Sequence, residues 1–151
     1  MIVKCAESDL DEQMLVREAQ TAGVINYQRL QTVLLIEDQE DLNRALATRL
    51  QWSGLNVESA FDGLTGLNKI ETLDPDLILL DLCLPELHGF KLLHAIRHHS
   101  GLQQAPIIVL TGDTSPGIAR RAARAGVRRV FRKPVSFGDV VEEAHAALEG
   151  F

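Results

Sequence analysis

Five residues of this 151-residue chain carry side chains suited to metal, nucleophilic or phosphate-directed chemistry and stand just after short aliphatic runs. Glu37 and Asp38 follow one run, Asp81 another, Thr111 a third, and Lys133 lies just beyond a weaker one. Any one of them reads most simply as the polar stop of a strand, because turns favour Asp and Thr. The set resists that reading: a turn preference gives no reason for three carboxylates, a hydroxyl and an ammonium to share one mouth of a sheet. Carboxylates held close together repel, so the cluster calls for a cation, and hard oxygen ligands with room for water suit Mg2+. Beside that charge Asp81 can attack phosphorus, while Lys133 and Thr111 stabilise the oxygens of the transferred group.

The elements that must position these residues are legible as an alternation. Aliphatic and β-branched runs at Thr32–Ile36, Leu77–Leu80 and Ile107–Leu110, with weaker ones at Leu55–Ser59 and Val127–Phe131, read as strands, mostly buried on both faces. Between them apolar residues recur at helical spacing: Leu42, Ala45, Leu46 and Leu50; Leu64, Leu67 and Ile70; Phe90, Leu93 and Ile96; Val141, Ala144 and Leu148. Gly54 and Gly101 follow helical stretches, Pro116 comes just after Thr114 and Ser115, and Ser136 with Asp139 has capping-box spacing. Five β–α units from Thr32 to Phe151 predict an α/β parallel sheet with helices on both faces and ligands at the carboxyl ends of its strands.

In "LLIEDQ", "LILLDLCLPELHG", "PIIVLTGD" and "VFRKP", taken in that order, the chain resembles the receiver domain of two-component response regulators. The resemblance covers about Thr32 to Leu148 and implies a flavodoxin-like fold with strand order 2-1-3-4-5. It implies that Asp81 is phosphorylated from a histidine kinase or a histidine phosphotransfer protein. Asp38 would be a direct Mg2+ ligand, Glu37 one acting mainly through water, and the Cys83 carbonyl a further one. Thr111 and Lys133 would contact the phosphoryl group, Gly112 would leave it accessible, and the Lys133–Pro134 peptide would be cis. Many such receivers carry Tyr or Phe three residues before the lysine, where this chain has Val130. Strand alternation sends the neighbouring Phe131 to the opposite face from Val130, which leaves a different coupling or weaker signalling as the alternatives.

Composition bounds the rest. With 46% hydrophobic and 24% charged residues the chain suits one globular domain, and its net charge of -6 disfavours generic nucleic-acid binding. Two cysteines, Cys5 and Cys83, form neither a metal pair nor a disulfide framework, and no membrane-length apolar run occurs, so a cytoplasmic protein is expected. Cys83 reads as a small loop residue rather than a redox sensor. Residues 1–31 stand outside the alternation, as an extension or a docking or dimerising helix capped by Ser8 and Asp11 and carrying Leu10, Met14 and Val16; residues 32–151 form the expected receiver. Between Ser115 and Pro134 stand Arg120, Arg121, Arg124, Arg128, Arg129, Arg132 and Lys133 without one acid. They form either a solvated basic face or, on the fourth helix, fifth strand and fifth helix that the resemblance makes the output face, a docking surface for an acidic partner, whether protein or nucleic-acid backbone. The His98–His99 pair belongs at a helix C-terminus, and Trp52 and Phe90 in helix packing.

The expected protein is thus a stand-alone receiver that switches a partner-binding surface, with a phosphorelay intermediate as the alternative. A haloacid-dehalogenase-type phosphatase would need a second acid two residues past Asp81, where Cys83 stands. The receiver reading makes the protein a signalling module that catalyses only its own phosphorylation and dephosphorylation.

Overall fold

The computed structural model describes residues 13–15, 17–18, 21, 23, 29–99 and 105–150. Within them β1 (Thr32–Ile36), β2 (Asn56–Ala60), β3 (Leu77–Asp81), β4 (Ile107–Thr111) and β5 (Arg129–Arg132) form one parallel sheet in the order β2-β1-β3-β4-β5. The connecting helices are α1 (Glu40–Trp52), α2 (Gly63–Leu73), α3 (Gly89–His98) and α4 (Ile118–Arg124), and α5 (Phe137–Glu149) closes the fold. This is the flavodoxin-like topology that the resemblance implies. The cap and stripe residues Ser8, Leu10, Asp11 and Val16, with Gly101, lie outside the described residues; residues 13–15, 17–18 and 21 are helical, and Met14 and Leu15 are exposed.

Every position of β1, β3 and β4 is buried, because the three central strands are covered on both faces. The period of two splits each run between two cores. Leu34, Ile36, Ile78, Leu80, Ile107 and Val109 pack with Ile70, Leu92, Leu93, Ile96 and Ile118, on the side of α2, α3 and α4. Val33, Leu35, Leu77, Leu79, Ile108 and Leu110 pack with Leu46, Leu50, Val140, Ala144 and Leu148, on the side of α1 and α5. Burying each such side chain contributes about 2 kcal/mol, so a polar group inside these runs is expensive. The strand end is the first place where one is tolerated, and Asp81 and Thr111 are the last residues of β3 and β4.

Three expectations about helix faces need correction. Trp52, expected in packing, is 79% exposed, since it sits two residues past Leu50 and therefore on another face of α1. The buried stripe of α1 is Asn43, Leu46, Ala47 and Leu50, with Ala45 exposed. In α2 the inward residues are Gly63, Gly66 and Ile70, and Leu64 is exposed. A Cβ on Gly66 would stand 2.7 Å from Ile36 Cδ1, so glycine lets this helix lie directly on β1. Other signals hold. Ser136 Oγ accepts from the Asp139 N–H at 3.3 Å, His98 ends α3 with His99 as its C-cap, and Val130 and Phe131 join opposite cores.

Candidate functional site

Register brings the chosen residues to one edge. Ile36 pairs with Leu80, Asp81 with Leu110, and Thr111 with Arg132, so Glu37, Asp38, Asp81, Thr111 and Lys133 sit at adjacent carboxyl ends of β1, β3, β4 and β5. The backbone continues the alignment past the strands: the Glu37 N–H donates to the Ala60 carbonyl at 3.0 Å and the Lys133 N–H to the Thr111 carbonyl at 2.9 Å. The Lys133–Pro134 peptide is cis.

Glu37, Asp81 and Thr111 are buried. The Lys133 ammonium lies 2.7 Å from Glu37 Oε2 and 3.1 Å from Asp81 Oδ2, bridging two of the carboxylates. The remaining Asp81 oxygen, Oδ1, accepts from the Cys83 N–H at 2.8 Å, and Glu37 Oε1 accepts from the Gln39 N–H at 3.1 Å. Thr111 Oγ1 accepts from the Asp113 N–H at 3.0 Å and lies 3.7 Å from the Cys83 thiol. A Cβ on Gly112 would meet no atom within 4 Å.

The charges do not balance. One oxygen from each of Glu37, Asp38 and Asp81 falls within a 4.8 Å cluster, and the Lys133 ammonium pairs with only two of the three, Glu37 and Asp81. Apart from its ion pair with Lys133, the buried Glu37 Oε2 has no hydrogen-bond partner among the described residues. Burial pushes the Glu37 carboxyl up to about 7 against the pull of Lys133 and the Gln39 N–H, and the Asp81 charge adds to the rise. Burial works against the Lys133 ammonium as well, but Glu37 and Asp81 outweigh it and hold its pKa above the ordinary value. An all-oxygen cluster with excess negative charge fits a hard divalent cation.

Two features of the scaffold were not anticipated. Asn43 is buried in the apolar stripe of α1, where its Nδ2 donates to the carbonyls of Glu37 at 3.0 Å and Ala60 at 3.2 Å, tying the ends of β1 and β2. An Asn on the inward face of an amphipathic helix was the available signal. Gly89 opens α3 with its N–H on the Leu82 carbonyl at 3.1 Å, closing the loop that follows Asp81. A Cβ there would press on Leu82 Cα and stand 2.8 Å from that carbonyl oxygen. Both contacts are with backbone, so the loop tolerates only glycine at this point.

A doubly wound parallel sheet with a buried acidic cluster at its carboxyl edge defines a class of α/β domain that binds its ligands at that edge. Comparison with known proteins narrows it. The family described as "Response regulator receiver domain" matches residues 33–145. The chain is 33% identical over 116 residues to the KDP operon transcriptional regulatory protein KdpE of Escherichia coli, covering 77% of this chain and 50% of that protein. It is 30% identical over 109 residues to hybrid signal transduction histidine kinase D of Dictyostelium discoideum, covering 72% of this chain and 7% of that one. The chemotaxis response regulator CheY4 of Vibrio cholerae superposes with a TM-score of 0.74 at 28% identity, covering 80% of this chain and 100% of that chain. The chain belongs to the response regulator receiver domain family of two-component signalling. It spans half or less of the curated relatives named here. Among the described residues, no helix is long and apolar enough to cross a membrane.

Proposed function

We propose that Asp81 accepts a phosphoryl group from a phosphohistidine of a histidine kinase or phosphotransfer protein, and that the modified receiver, residues 32–151, presents a changed surface to a partner. The observation that carries this reading is the buried Asp81 carboxylate bridged to Glu37 by Lys133 at 3.1 and 2.7 Å. Burying two carboxylates costs several kcal/mol that a hydrophobic pair would not. That cost is understandable if the site exists for its chemistry.

An oxygen of Asp81 forms the new O–P bond while the donor's P–N bond breaks, the histidine ring keeping the electron pair and taking up a proton. Lys133, already at Asp81 Oδ2, is placed to follow the negative charge onto the phosphoryl oxygens. The Thr111 hydroxyl, whose oxygen accepts from Asp113, retains its own proton to donate to the same group. Glu37, Asp38, Asp81 and the Cys83 carbonyl would hold Mg2+. When bound, that ion supplies charge neutralisation between the acidic cluster and the incoming phosphate.

Incubation with acetyl phosphate, with and without Mg2+, tests the reading by intact-protein mass spectrometry. One added phosphate is expected only with Mg2+, and Asp81→Asn should lower incorporation by at least about 100-fold. Equal labelling of Asp81→Asn would overturn the assignment of the nucleophile.

A further inference from the structure

Charge is segregated along this chain. Residues 37–86 hold eleven acids and three basic residues, whereas residues 87–133 hold nine Lys and Arg and a single acid, Asp113. The structure sorts those basic residues by use. Lys133 belongs to the acidic site, and Arg128 and Arg129 share Glu143 on α5 at 2.8 and 3.9 Å. Arg97 donates to the carbonyls of Ala105 and Gly126. The run of arginines is therefore not one face. Among the described residues, Lys91, Arg120, Arg121, Arg124 and Arg132 have no carboxylate partner and all five are exposed; Arg132 ends β5, and the other four stand on α3 and α4.

These four lie on two helices fastened side by side. The Arg121 guanidinium stands 3.9 Å over the Phe90 ring at the start of α3, and Arg97 near its end reaches the Gly126 carbonyl just past α4 at 2.7 Å. Arg120 and Arg124 are one helical turn apart, and neither α3 nor α4 contains an acid. The stacked ring holds the Arg121 guanidinium in place before any ligand arrives, which lowers the entropy lost on binding.

We propose that the α3–α4 surface docks a short acidic segment of a partner protein, its carboxylates engaging Arg120, Arg121 and Arg124. A guanidinium matches a carboxylate through paired N–H donors. The size of the patch selects a short occupant: α4 is seven residues, about 10 Å long. Its surroundings disfavour a polyanion, since α5 carries Asp139, Glu142, Glu143 and Glu149 with no Lys or Arg. A nucleic acid that extended past the patch onto α5 would meet that repulsion, which is screened over a Debye length of about 8 Å. This proposal does not depend on phosphorylation of Asp81.

Fluorescence anisotropy with a short labelled poly-glutamate peptide tests it on the full chain. The wild type should bind saturably and more weakly as salt rises. Arg120→Gln/Arg124→Gln should weaken binding about fivefold and Arg120→Glu/Arg121→Glu/Arg124→Glu more than about tenfold, with Arg128→Gln/Arg129→Gln within about twofold of wild type. Unchanged thermal midpoints would show that the variants fold, and the glutamine pair, which spares Arg121 and its contact with Phe90, keeps the test valid if the triple reversal does not. No saturable binding, equal loss on altering Arg128 and Arg129, or tighter binding of a DNA duplex would each overturn the proposal. So would salt-sensitive self-association abolished by the same α4 changes, which would make a second copy the occupant.

Discussion

The carboxyl edge of the sheet and the α3–α4 surface both concentrate charge, under opposite physical conditions. At the edge, Glu37 and Asp81 are 0% and 1% exposed and have one ammonium between them. On the surface, Arg120 and Arg124 are exposed and have no carboxylate partner among the described residues. Buried charge of this kind opposes folding unless every group is compensated, whereas an exposed guanidinium costs almost nothing. The same chemistry therefore means different things in the two places: geometry at the edge is dictated by energy, and on the surface the fold leaves charge free to be set by a partner.

The largest expected effect tests the edge. Replacing Lys133 by Met leaves the Glu37 and Asp81 carboxylates uncompensated and should destabilise the metal-free protein by about 3 kcal/mol at pH 8. Urea denaturation with and without Mg2+ checks this, and Mg2+ should recover more stability in the variant than in the wild type. A loss below about 1 kcal/mol would mean that water already solvates the pair, and the contrast between edge and surface would collapse.

The next effect follows from Glu37. Its folded pKa of about 7 lies above its ordinary value of 4.5, so the folded state binds this proton more tightly than the unfolded state does. The contribution to stability is fully present below about pH 4.5 and is lost as pH rises through about 7. Metal-free protein should lose stability over that window, on the order of 1 kcal/mol per pH unit at the steepest, and Glu37→Gln should flatten the slope. Asp62 and Asp113, whose hydrogen bonds from Thr65 and Ser115 lower their pKa values, act with the opposite sign and below this window. Saturating Mg2+ requires the ionised carboxylate and should also remove the slope. A wild-type slope that Glu37→Gln leaves unchanged would place its origin elsewhere.

The two regions were unequally visible in the sequence. The aliphatic runs of β1, β3 and β4 announced both the sheet and the positions of Glu37, Asp81 and Thr111, because a strand buried on both faces permits polar residues only at its ends. Strand alternation also placed Val130 and Phe131 in opposite cores. Helix faces were harder to read, since what counts is which residues meet the sheet: Asn43 is inward, Trp52 and Leu64 are outward, and glycines form the contact of α2. Asn43 looks polar until the carbonyls of Glu37 and Ala60 appear beside it. The arginine run looked like one feature because nothing local reveals that Glu143, far along the chain, draws Arg128 and Arg129 to α5.

The smallest expected effect is the sharpest probe of that division. Arg120→Gln/Arg124→Gln should change the unfolding free energy by less than about 0.5 kcal/mol, because two exposed, unpaired side chains are replaced by equally solvated ones. Arg128→Gln/Arg129→Gln should cost more, about 1 kcal/mol, since Glu143 is only 19% exposed and loses both partners. Urea midpoints at low and high salt separate the cases: salt should shrink the second difference and leave the first near zero. A stability loss at Arg120 and Arg124 matching that at Arg128 and Arg129 would show that the α4 pair is tied to the fold. Near-zero loss alongside weakened poly-glutamate binding would mean that these charges serve recognition without supporting the structure.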